Sequence, residues 1–363
     1  MGFRCGIVGL PNVGKSTLFN ALTHAGAQAE NYPFCTIDPN VGIVEVPDLR
    51  LETIAGLVNP AKVIPTAIEF VDIAGLVAGA SKGEGLGNRF LAHIREVDAI
   101  IHVVRAFSDD DITHVSGKVD PLADVATIET ELALADLETT ERAVDRTAKA
   151  AKTGDKKILR ELDYLKQAYE ALSQDHGLQA LLQDSEASAV LKPLCLLSAK
   201  PMLYVANVSE EDLNGNDQVS QLTAHAQTRQ AQVVVVSAAI EQEISEIDAQ
   251  ERAGFLEDLG LESSGLDRVI RAGYALLGLQ TFFTAGPKEV RAWTVACGAT
   301  APQAAGEIHT DFERGFIRAE TIAYDEFVQY QGEQGAREAG RLRLEGKEYI
   351  LSDGDIMHFR FNV

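Results

Sequence analysis

The chain has 363 residues and a net charge of −22. At this length two or three domains are expected, and 46 % hydrophobic residues without an apolar run of about 18 residues predict a soluble globular protein. The acidic balance disfavours non-specific nucleic-acid binding, so any such contact requires a local basic patch. Four dispersed cysteines without a C-x-x-C pair argue against a disulfide framework or a zinc site. Because no signal peptide is predicted either, we expect a cytoplasmic protein that does not enter membranes.

The first motif lies at residues 9–16, reads G-x-x-x-x-G-K-S, and is flanked by a predicted apolar strand and a predicted helix. Glycines in such a loop let backbone N–H groups point at phosphate oxygens. The lysine reaches the β- and γ-phosphates, and the serine hydroxyl ligates Mg²⁺. The alternative is a glycine-rich turn without a ligand. We assign Lys15 a catalytic role, Ser16 a metal-ligand role, and nucleotide binding to Asn12, Val13, Gly14, Lys15, Ser16 and Thr17.

Short Val- and Ile-rich runs alternate with helical patterns, which predicts an α/β fold with a mostly parallel sheet. The predicted strands of this sheet are 3–8, 41–46, 67–72, 99–104, 202–207 and 232–237. An Ala-, Leu- and Glu-rich stretch interrupts this rhythm and predicts an antiparallel helical hairpin of coiled-coil type, with its turn at 153–155. The predicted domains are 1–124 with 198–279, the inserted hairpin at 125–197, and a small mixed-sheet domain at 280–363.

A second part of the nucleotide site is predicted at the end of the strand 67–72, where the sequence reads D-x-x-G. Asp72 can hold Mg²⁺ through a water molecule, and the backbone N–H of Gly75 can contact the γ-phosphate, which makes Gly75 a second catalytic candidate. Several glycines between residues 79 and 87 indicate a loop that changes conformation with the bound nucleotide. The alternative is a flexible loop without that role.

Together these motifs resemble the Obg-related P-loop GTPases and, more narrowly, the YchF subfamily, also called Obg-like ATPases. Residues 31–36 (Asn-Tyr-Pro-Phe-Cys-Thr) match the first switch of that family, and the resemblance implies that Thr36 ligates Mg²⁺ when a triphosphate is bound. The insertion stands where the family has its coiled coil, and residues 308–318 match its TGS domain, a ubiquitin-like β-grasp module. The resemblance implies a Ras-like G domain with these two additions.

The residues at the predicted base site depart from an ordinary GTPase. Guanine-specific relatives carry N-K-x-D, whereas residues 207–210 read Asn-Val-Ser-Glu. Val208 replaces the lysine that lies along the base, and Glu210 is one methylene longer than the aspartate that takes both guanine donors. Asn207 could instead pair with N6 and N7 of adenine, and Ser237 and Ala238 would border the base. The resemblance likewise implies a preference for ATP over GTP.

The residue after the D-x-x-G motif bears on the rate of hydrolysis. Many GTPases place there a glutamine that orients the attacking water, whereas this chain has Leu76, which neither donates nor accepts a hydrogen bond. We therefore expect slow intrinsic hydrolysis. His114 is one candidate for orienting the water, and the alternative is that His114 is a surface histidine.

A basic cluster is predicted at the turn of the helical hairpin, within an otherwise acidic chain. It could contact the phosphates of RNA, or it could be a solvated helix face with ion pairs such as Arg142 with Glu138. Resemblance to ribosome-associated YchF proteins favours RNA contact. The nucleic-acid candidates are Arg142, Arg146, Lys149, Lys152, Lys156, Lys157 and Arg160.

The leading hypothesis from the sequence is a Mg²⁺-dependent triphosphatase that prefers ATP, hydrolyses it slowly and associates with ribosomes or RNA under nucleotide control. One alternative is a GTPase of Obg type. Another is a ribosome- or RNA-binding adaptor in which the nucleotide is only regulatory. The sequence does not indicate an oligomeric state.

Overall fold

The computed structural model describes residues 3–25, 40–73, 86–109, 114, 118–174 and 177–362. The chain divides into two compact units. The first comprises Met1–Gly42 and Glu69–Val269, and the second comprises Ile43–Ile68 and Ile270–Val363. Within the described ranges, no helix is both long and apolar enough to cross a membrane.

The strands and helices are numbered separately along the chain. The strands are β1 (Arg4–Val8), β2 (Val41–Glu45), β3 (Val63–Ile64), β4 (Ala67–Asp72), β5 (Ala99–Arg105), β6 (Met202–Asn207), β7 (Gln232–Val236), β8 (Leu279–Ala285), β9 (Val290–Ala296), β10 (Phe316–Ile322), β11 (Arg343–Glu345) and β12 (Ile356–Phe361). The helices are α1 (Lys15–Ala25), α2 (Leu49–Val58), α3 (Leu86–Glu96), α4 (Pro121–Ala150), α5 (Lys156–Ser173), α6 (Gln179–Leu182), α7 (Ser185–Leu191), α8 (Asp217–Thr228), α9 (Ala238–Glu246), α10 (Ala249–Asp258), α11 (Gly265–Leu276), α12 (Ala301–Ile308), α13 (Thr310–Arg314), α14 (Tyr324–Gln329) and α15 (Glu333–Glu338).

The first sheet has the strand order β2-β4-β1-β5-β6-β7. β1 pairs in parallel with β4 and β5, and the parallel pairing continues from β5 to β6 and β7. Every residue of β5 is buried, as expected for a strand covered by helices on both faces. The predicted mostly parallel sheet is confirmed. Its parallel strands bring their carboxyl ends to one edge, where α/β proteins bind ligands.

The inserted helical hairpin is confirmed within the first unit. Asp120 caps α4, Pro121 takes its first position, and buried side chains recur along α4 every three or four residues. The turn contains Gly154 at φ 77°, a conformation that favours glycine, and Asp155 caps α5. α5 packs against α4, and side chains of α4, α5 and α7 share one apolar core.

The second unit contains a mixed sheet of order β11-β10-β12-β8-β9-β3. The hairpin β8–β9 is antiparallel, whereas β12 pairs with β8 in parallel. One hydrophobic core of this unit contains Phe282 and Phe359 and lies beside α12. A second core contains Leu51 and Ile54 of α2, a helix that the sequence did not predict, packed with Phe283. Residues far apart in the chain therefore build this unit together.

Candidate functional site

The glycine-rich loop leaves β1 in the middle of the first sheet and leads directly into α1. Asn12 and Gly14 have left-handed backbone angles, with φ of 63° and 89°. A Cβ atom added to Gly14 would lie 2.2 Å from Nδ2 of Asn207. Glycine is therefore required at position 14 both for its backbone angle and for the close approach of another side chain.

Lys15 and Asp72 form an ion pair at this edge of the sheet. Lys15 is only 9 % exposed, and its Nζ contacts Oδ1 of Asp72, the last residue of β4. A buried ammonium requires a partner, since leaving it unpaired in a low-dielectric surrounding costs several kcal/mol, on the order of 3–5. The two residues that the sequence assigned to phosphate and metal binding are thus brought into direct contact.

Ser16 and Thr17 occupy the first turn of α1, where backbone N–H groups lack partners within the helix. Ser16 is exposed and Thr17 is half-buried. The positive end of the helix dipole favours an anion at this position. The loop, the lysine and the helix start therefore form a surface suited to phosphate.

Asn207 ends β6 and connects two parts of the site. Its Nδ2 donates to the carbonyl oxygen of Val13 at 2.9 Å, and its Oδ1 accepts from the backbone N–H of Ala238 at 2.9 Å. Asn207 is 4 % exposed. Asn207 therefore fixes the phosphate loop against the start of α9, and this role differs from the base reading that the sequence suggested.

The other residues of the predicted base site fall into two groups. Ser237 and Ala238 are buried at the start of α9, beside Asn207. Val208 is buried in an apolar cluster of the first unit, and Glu210 is exposed at the start of a short 3₁₀ helix. The structure therefore brings Val13, Asn207 and Ala238 together, while the side chain of Val208 packs in the core.

Arg105 was missed by the sequence reasoning. It ends β5 beside Asn207 in the strand register, and it is 1 % exposed. Its guanidinium donates to the carbonyl oxygens of Phe107 and Asp109, at 3.2 Å each, and lies 4.5 Å from the centre of the Phe107 ring. An arginine at the end of a strand that is apolar except for His102 was the available signal, because such a charge is buried only when it has partners.

His114 is buried, so the alternative that it is a surface histidine is wrong. It is 7 % exposed, and its Nε2 lies 2.9 Å from Oδ2 of Asp124 on α4. Burial raises the pKa of Asp124, an effect that its contact with His114 partly opposes. The pair ties the segment before α4 to that helix.

Three residues of the predicted site lie outside the described residues. They are Thr36, assigned to Mg²⁺, Gly75, assigned to the γ-phosphate, and Leu76, which carried the expectation of slow hydrolysis. Their roles remain predictions.

The hairpin tip is defined here as residues 146–160, which comprise the last turn of α4, the connecting turn and the first turn of α5. It contains six basic residues and one acidic residue. Arg142, just before it, pairs with Glu138, and Arg160 pairs with Glu186 at 2.7 Å. In the described part of the chain, the five other basic candidates are exposed and have no ion pair. They are Arg146, Lys149, Lys152, Lys156 and Lys157. The alternative of a solvated helix face with ion pairs is therefore confirmed for Arg142 and Arg160, but not for the other five candidates in the described part of the chain.

Comparison with known proteins gives consistent matches along the chain. A family model described as 50S ribosome-binding GTPase matches residues 4–144, and the model YchF-GTPase_C, described as a protein of unknown function, matches residues 279–362. The chain is 61 % identical over 363 residues to the "Ribosome-binding ATPase YchF" of Haemophilus ducreyi and also to that of Haemophilus influenzae, with 100 % of each chain covered. It is similar to the solved structure of the Schizosaccharomyces pombe YchF GTPase, with a TM-score of 0.88 and 37 % identity, covering 99 % of this chain and 98 % of that one.

These matches extend over both compact units and agree with the P-loop, the parallel sheet and the helical insertion. Identity of 61 % over the full length of both sequences is far above what a shared fold alone produces. The chain belongs to the YchF family.

Proposed function

We propose that the protein is a nucleoside triphosphate hydrolase that acts at ribosomes. The observation that carries this proposal is the ion pair between Lys15 and Asp72, directly beside the left-handed Gly14. On binding, a nucleotide triphosphate would offer Lys15 its phosphate oxygens and release Asp72 toward a metal ion. The related proteins named ribosome-binding ATPases support the assignment of both activity and partner.

The residues at the phosphate loop fit Mg²⁺. Mg²⁺ prefers oxygen ligands and keeps several waters, so one hydroxyl and one carboxylate from the protein suffice beside the phosphates. Ser16 and Asp72 would hold the metal, with Thr36 as the third candidate. The bound metal would neutralise charge on the phosphates. Lys15 and the backbone N–H groups of the loop would orient the phosphates, and Gly75 would contact the γ-phosphate.

ATP is proposed as the preferred nucleotide. A guanine site of this type needs an aspartate that accepts two base donors, and the chain places Glu210 there, exposed and on a 3₁₀ helix. The side chain of Val208 lies in the core, so it offers no surface along a base. The alternative is a GTPase of Obg type, in which backbone groups near Ser237 and Ala238 read guanine. Slow hydrolysis is proposed because Leu76 offers no hydrogen bond to water.

The hairpin tip is proposed to contact ribosomal RNA. Five exposed basic side chains, which form no ion pair with any residue that the structure describes, give a local positive surface on a chain of net charge −22. The same observation favours the second candidate function, an adaptor whose ribosome binding does not depend on the nucleotide. We further propose that the hairpin is the coiled coil of the family, that 280–363 is its TGS domain, and that the protein works in the cytoplasm with the domain boundaries given above.

The decisive test is a titration of the purified protein with ATP and with GTP, each with Mg²⁺ and each repeated with EDTA. We expect tighter binding of ATP, and weaker binding of both nucleotides without the metal. Equal affinities for ATP and GTP would contradict the base assignment while leaving the phosphate site intact.

Ribosome co-sedimentation separates the hydrolase from the adaptor. The protein would be tested without nucleotide, with ADP and with a non-hydrolysable ATP analogue. Nucleotide-controlled association predicts different bound fractions in the three states. Equal fractions would favour the adaptor.

A further inference from the structure

Glu241 on α9 is a buried carboxylate that none of the sequence motifs includes. It is 2 % exposed, and it accepts hydrogen bonds from the backbone N–H groups of Gly265 at 2.7 Å and Leu266 at 3.2 Å. These are the first residues of α11, whose N–H groups lack partners within the helix. Burial raises the pKa of Glu241, and the two backbone hydrogen bonds oppose this shift. The side chain therefore joins one turn of α9 to the start of α11.

The contact between Glu241 and α11 is closely packed. A Cβ atom on Gly265 would lie 2.6 Å from Oε1 of Glu241 and 2.8 Å from Cγ1 of Val236. On the same helix, Arg268 donates to the carbonyl oxygen of Val235 at 3.0 Å. The start of α11 is thus held against both β7 and α9, with no space for a larger residue at position 265.

From Glu241 the connection continues to the nucleotide site in one helical turn. The backbone N–H of Glu241 donates to the carbonyl oxygen of Ser237 at 2.9 Å. The next residue, Ala238, donates to Asn207, which in turn donates to Val13 in the phosphate loop. Every step of this chain of hydrogen bonds lies within the first compact unit.

We propose that Glu241 is a positioning residue for the nucleotide: it holds the first turn of α9, and through Asn207 the phosphate loop, in the arrangement that binds ATP. This inference rests on the proposed function, because it names a residue that shapes the same site. Glu241 acts through Ser237 and Ala238 and does not itself contact the phosphates.

Asp136 provides a matched control. It is also buried, at 1 % exposure, and accepts from two backbone N–H groups, those of Leu197 at 2.8 Å and Ser198 at 2.7 Å, and in addition from the Ser198 hydroxyl at 2.6 Å. Burial raises its pKa as it does for Glu241. It holds the end of the helical insertion, and no hydrogen bond described above connects it to the phosphate loop. Glu241→Gln and Asp136→Asn therefore each replace a buried carboxylate that accepts from two backbone N–H groups, one carboxylate near the nucleotide site and the other in the helical insertion.

The experiment measures the affinity for Mg-ATP by titration, the hydrolysis rate at saturating ATP, and urea unfolding for both variants. An amide has one acceptor oxygen where the carboxylate has two, so one backbone N–H loses its partner in each variant. We expect similar losses of stability. We expect Glu241→Gln to weaken ATP binding about tenfold with a rate at saturation within about twofold of wild type, and Asp136→Asn to leave affinity unchanged.

Gly265→Ala tests the same contact with the carboxylate retained, and it decides the question if Glu241→Gln fails to fold. Its added methyl group would displace Glu241, so ATP binding should weaken in the same direction. Wild-type affinity in both folded variants, or equal weakening by Asp136→Asn, would overturn the inference. If the wild-type protein itself binds no nucleotide, the proposed function fails, and this outcome is distinct from failure of the inference.

Discussion

The phosphate loop and the hairpin tip both depend on lysine, yet they present it in opposite ways. Lys15 is almost fully buried and is paired with Asp72. The lysines of the tip are exposed, and in the described ranges none of them has an ion pair. One region holds a single charge at a fixed position, and the other displays several charges to solvent.

This difference separates two kinds of recognition. A buried charge acts over a short distance in a low dielectric, where its position determines the interaction energy. Exposed charges are screened within about 10 Å at 0.1 M salt, so their effect depends on number and density more than on geometry. The phosphate loop should therefore tolerate no substitution at Lys15, whereas the tip should respond gradually to loss of charge.

The largest effect is expected from Lys15→Ala. Loss of the ammonium removes a positioned positive charge from the phosphates and should lower the rate of ATP hydrolysis about 10³-fold. Lys200→Ala is the control, because Lys200 is half-buried and donates to carbonyl oxygens, that of Arg95 at 3.1 Å and that of Val97, away from the phosphate loop. Steady-state hydrolysis by both variants checks this. A rate for Lys15→Ala close to that of Lys200→Ala would place the active site elsewhere.

Charge reversal at the tip should have the next largest effect. Replacing Lys149, Lys152, Lys156 and Lys157 by Glu should weaken ribosome association about 100-fold at low salt and reduce the slope of log K against log salt by about 3. Folding should be little affected, since all four side chains are exposed and the favourable acidic residues at positions 156 and 157, at the start of α5, offset the unfavourable one at position 149, in the last turn of α4.

A control with the same change in net charge uses four exposed lysines outside the tip. These are Lys62, Lys192, Lys288 and Lys347. Co-sedimentation over a range of salt concentrations compares the two quadruple variants. If both weaken association equally, overall charge and not the tip determines ribosome binding.

The sequence was sufficient for the regular parts of the first unit and for the phosphate motif. The strands 67–72 and 202–207 were predicted with their observed bounds. Residues 202–207 form a mostly apolar run that is buried after Met202, which suits a sheet covered on both faces, and in 67–72 the buried Ile68 and Phe70 alternate with half-buried residues. The two-residue strand β3 was not predicted, because its pairing with β9 depends on residues more than 200 positions later. Local patterns carry no information about such partners.

At the site, the identities of the residues were easier to predict than their contacts. The pairing of Arg142 with Glu138 follows from i,i+4 spacing, whereas that of Arg160 with Glu186 requires the fold of the insertion. The contact of Asn207 with Val13 spans 194 positions and shows that Asn207 supports the loop, whereas its reading of the base stays a prediction. Glu241 belongs to no motif, and its role could not be predicted because it depends on contacts with Gly265 and Leu266, which lie 24 and 25 positions later in the chain.

The role of Asn207 gives a prediction that separates support from base reading. Asn207→Ala leaves a buried carbonyl and a buried N–H without their partner, which should lower the free energy of unfolding by about 2 kcal/mol. Because the phosphate loop loses its support, the binding of ATP and the binding of GTP should weaken by the same factor, about tenfold. Asn216→Ala is the control, since Asn216 donates to the carbonyl of Ala106 at 2.9 Å and accepts from Val219 at 3.0 Å. Titrations with both nucleotides check this. Weaker binding of ATP alone would support the prediction that Asn207 reads adenine.

The contrast between buried and exposed side chains also predicts a dependence of stability on pH. This is the smallest of the expected effects. His102 in β5 is fully buried, neither ring nitrogen has a hydrogen-bond partner among the described residues, and burial lowers its pKa from 6.5 to about 4. The unfolded chain therefore takes up a proton first as the pH falls. The free energy of unfolding should decrease between pH 6.5 and 4 by up to about 1.4 kcal/mol per unit from this residue alone.

His102→Leu should remove that contribution without breaking a hydrogen bond, so its stability relative to wild type should rise by about 1 kcal/mol on going from pH 7.5 to pH 5.5. His93→Leu is the control, because it makes the same substitution at an exposed histidine on α3. Urea unfolding of the three proteins at both pH values measures the difference. If the change for His102→Leu equals that for His93→Leu, burial of His102 contributes nothing to acid sensitivity, and the contrast between the two environments is confined to the charged residues.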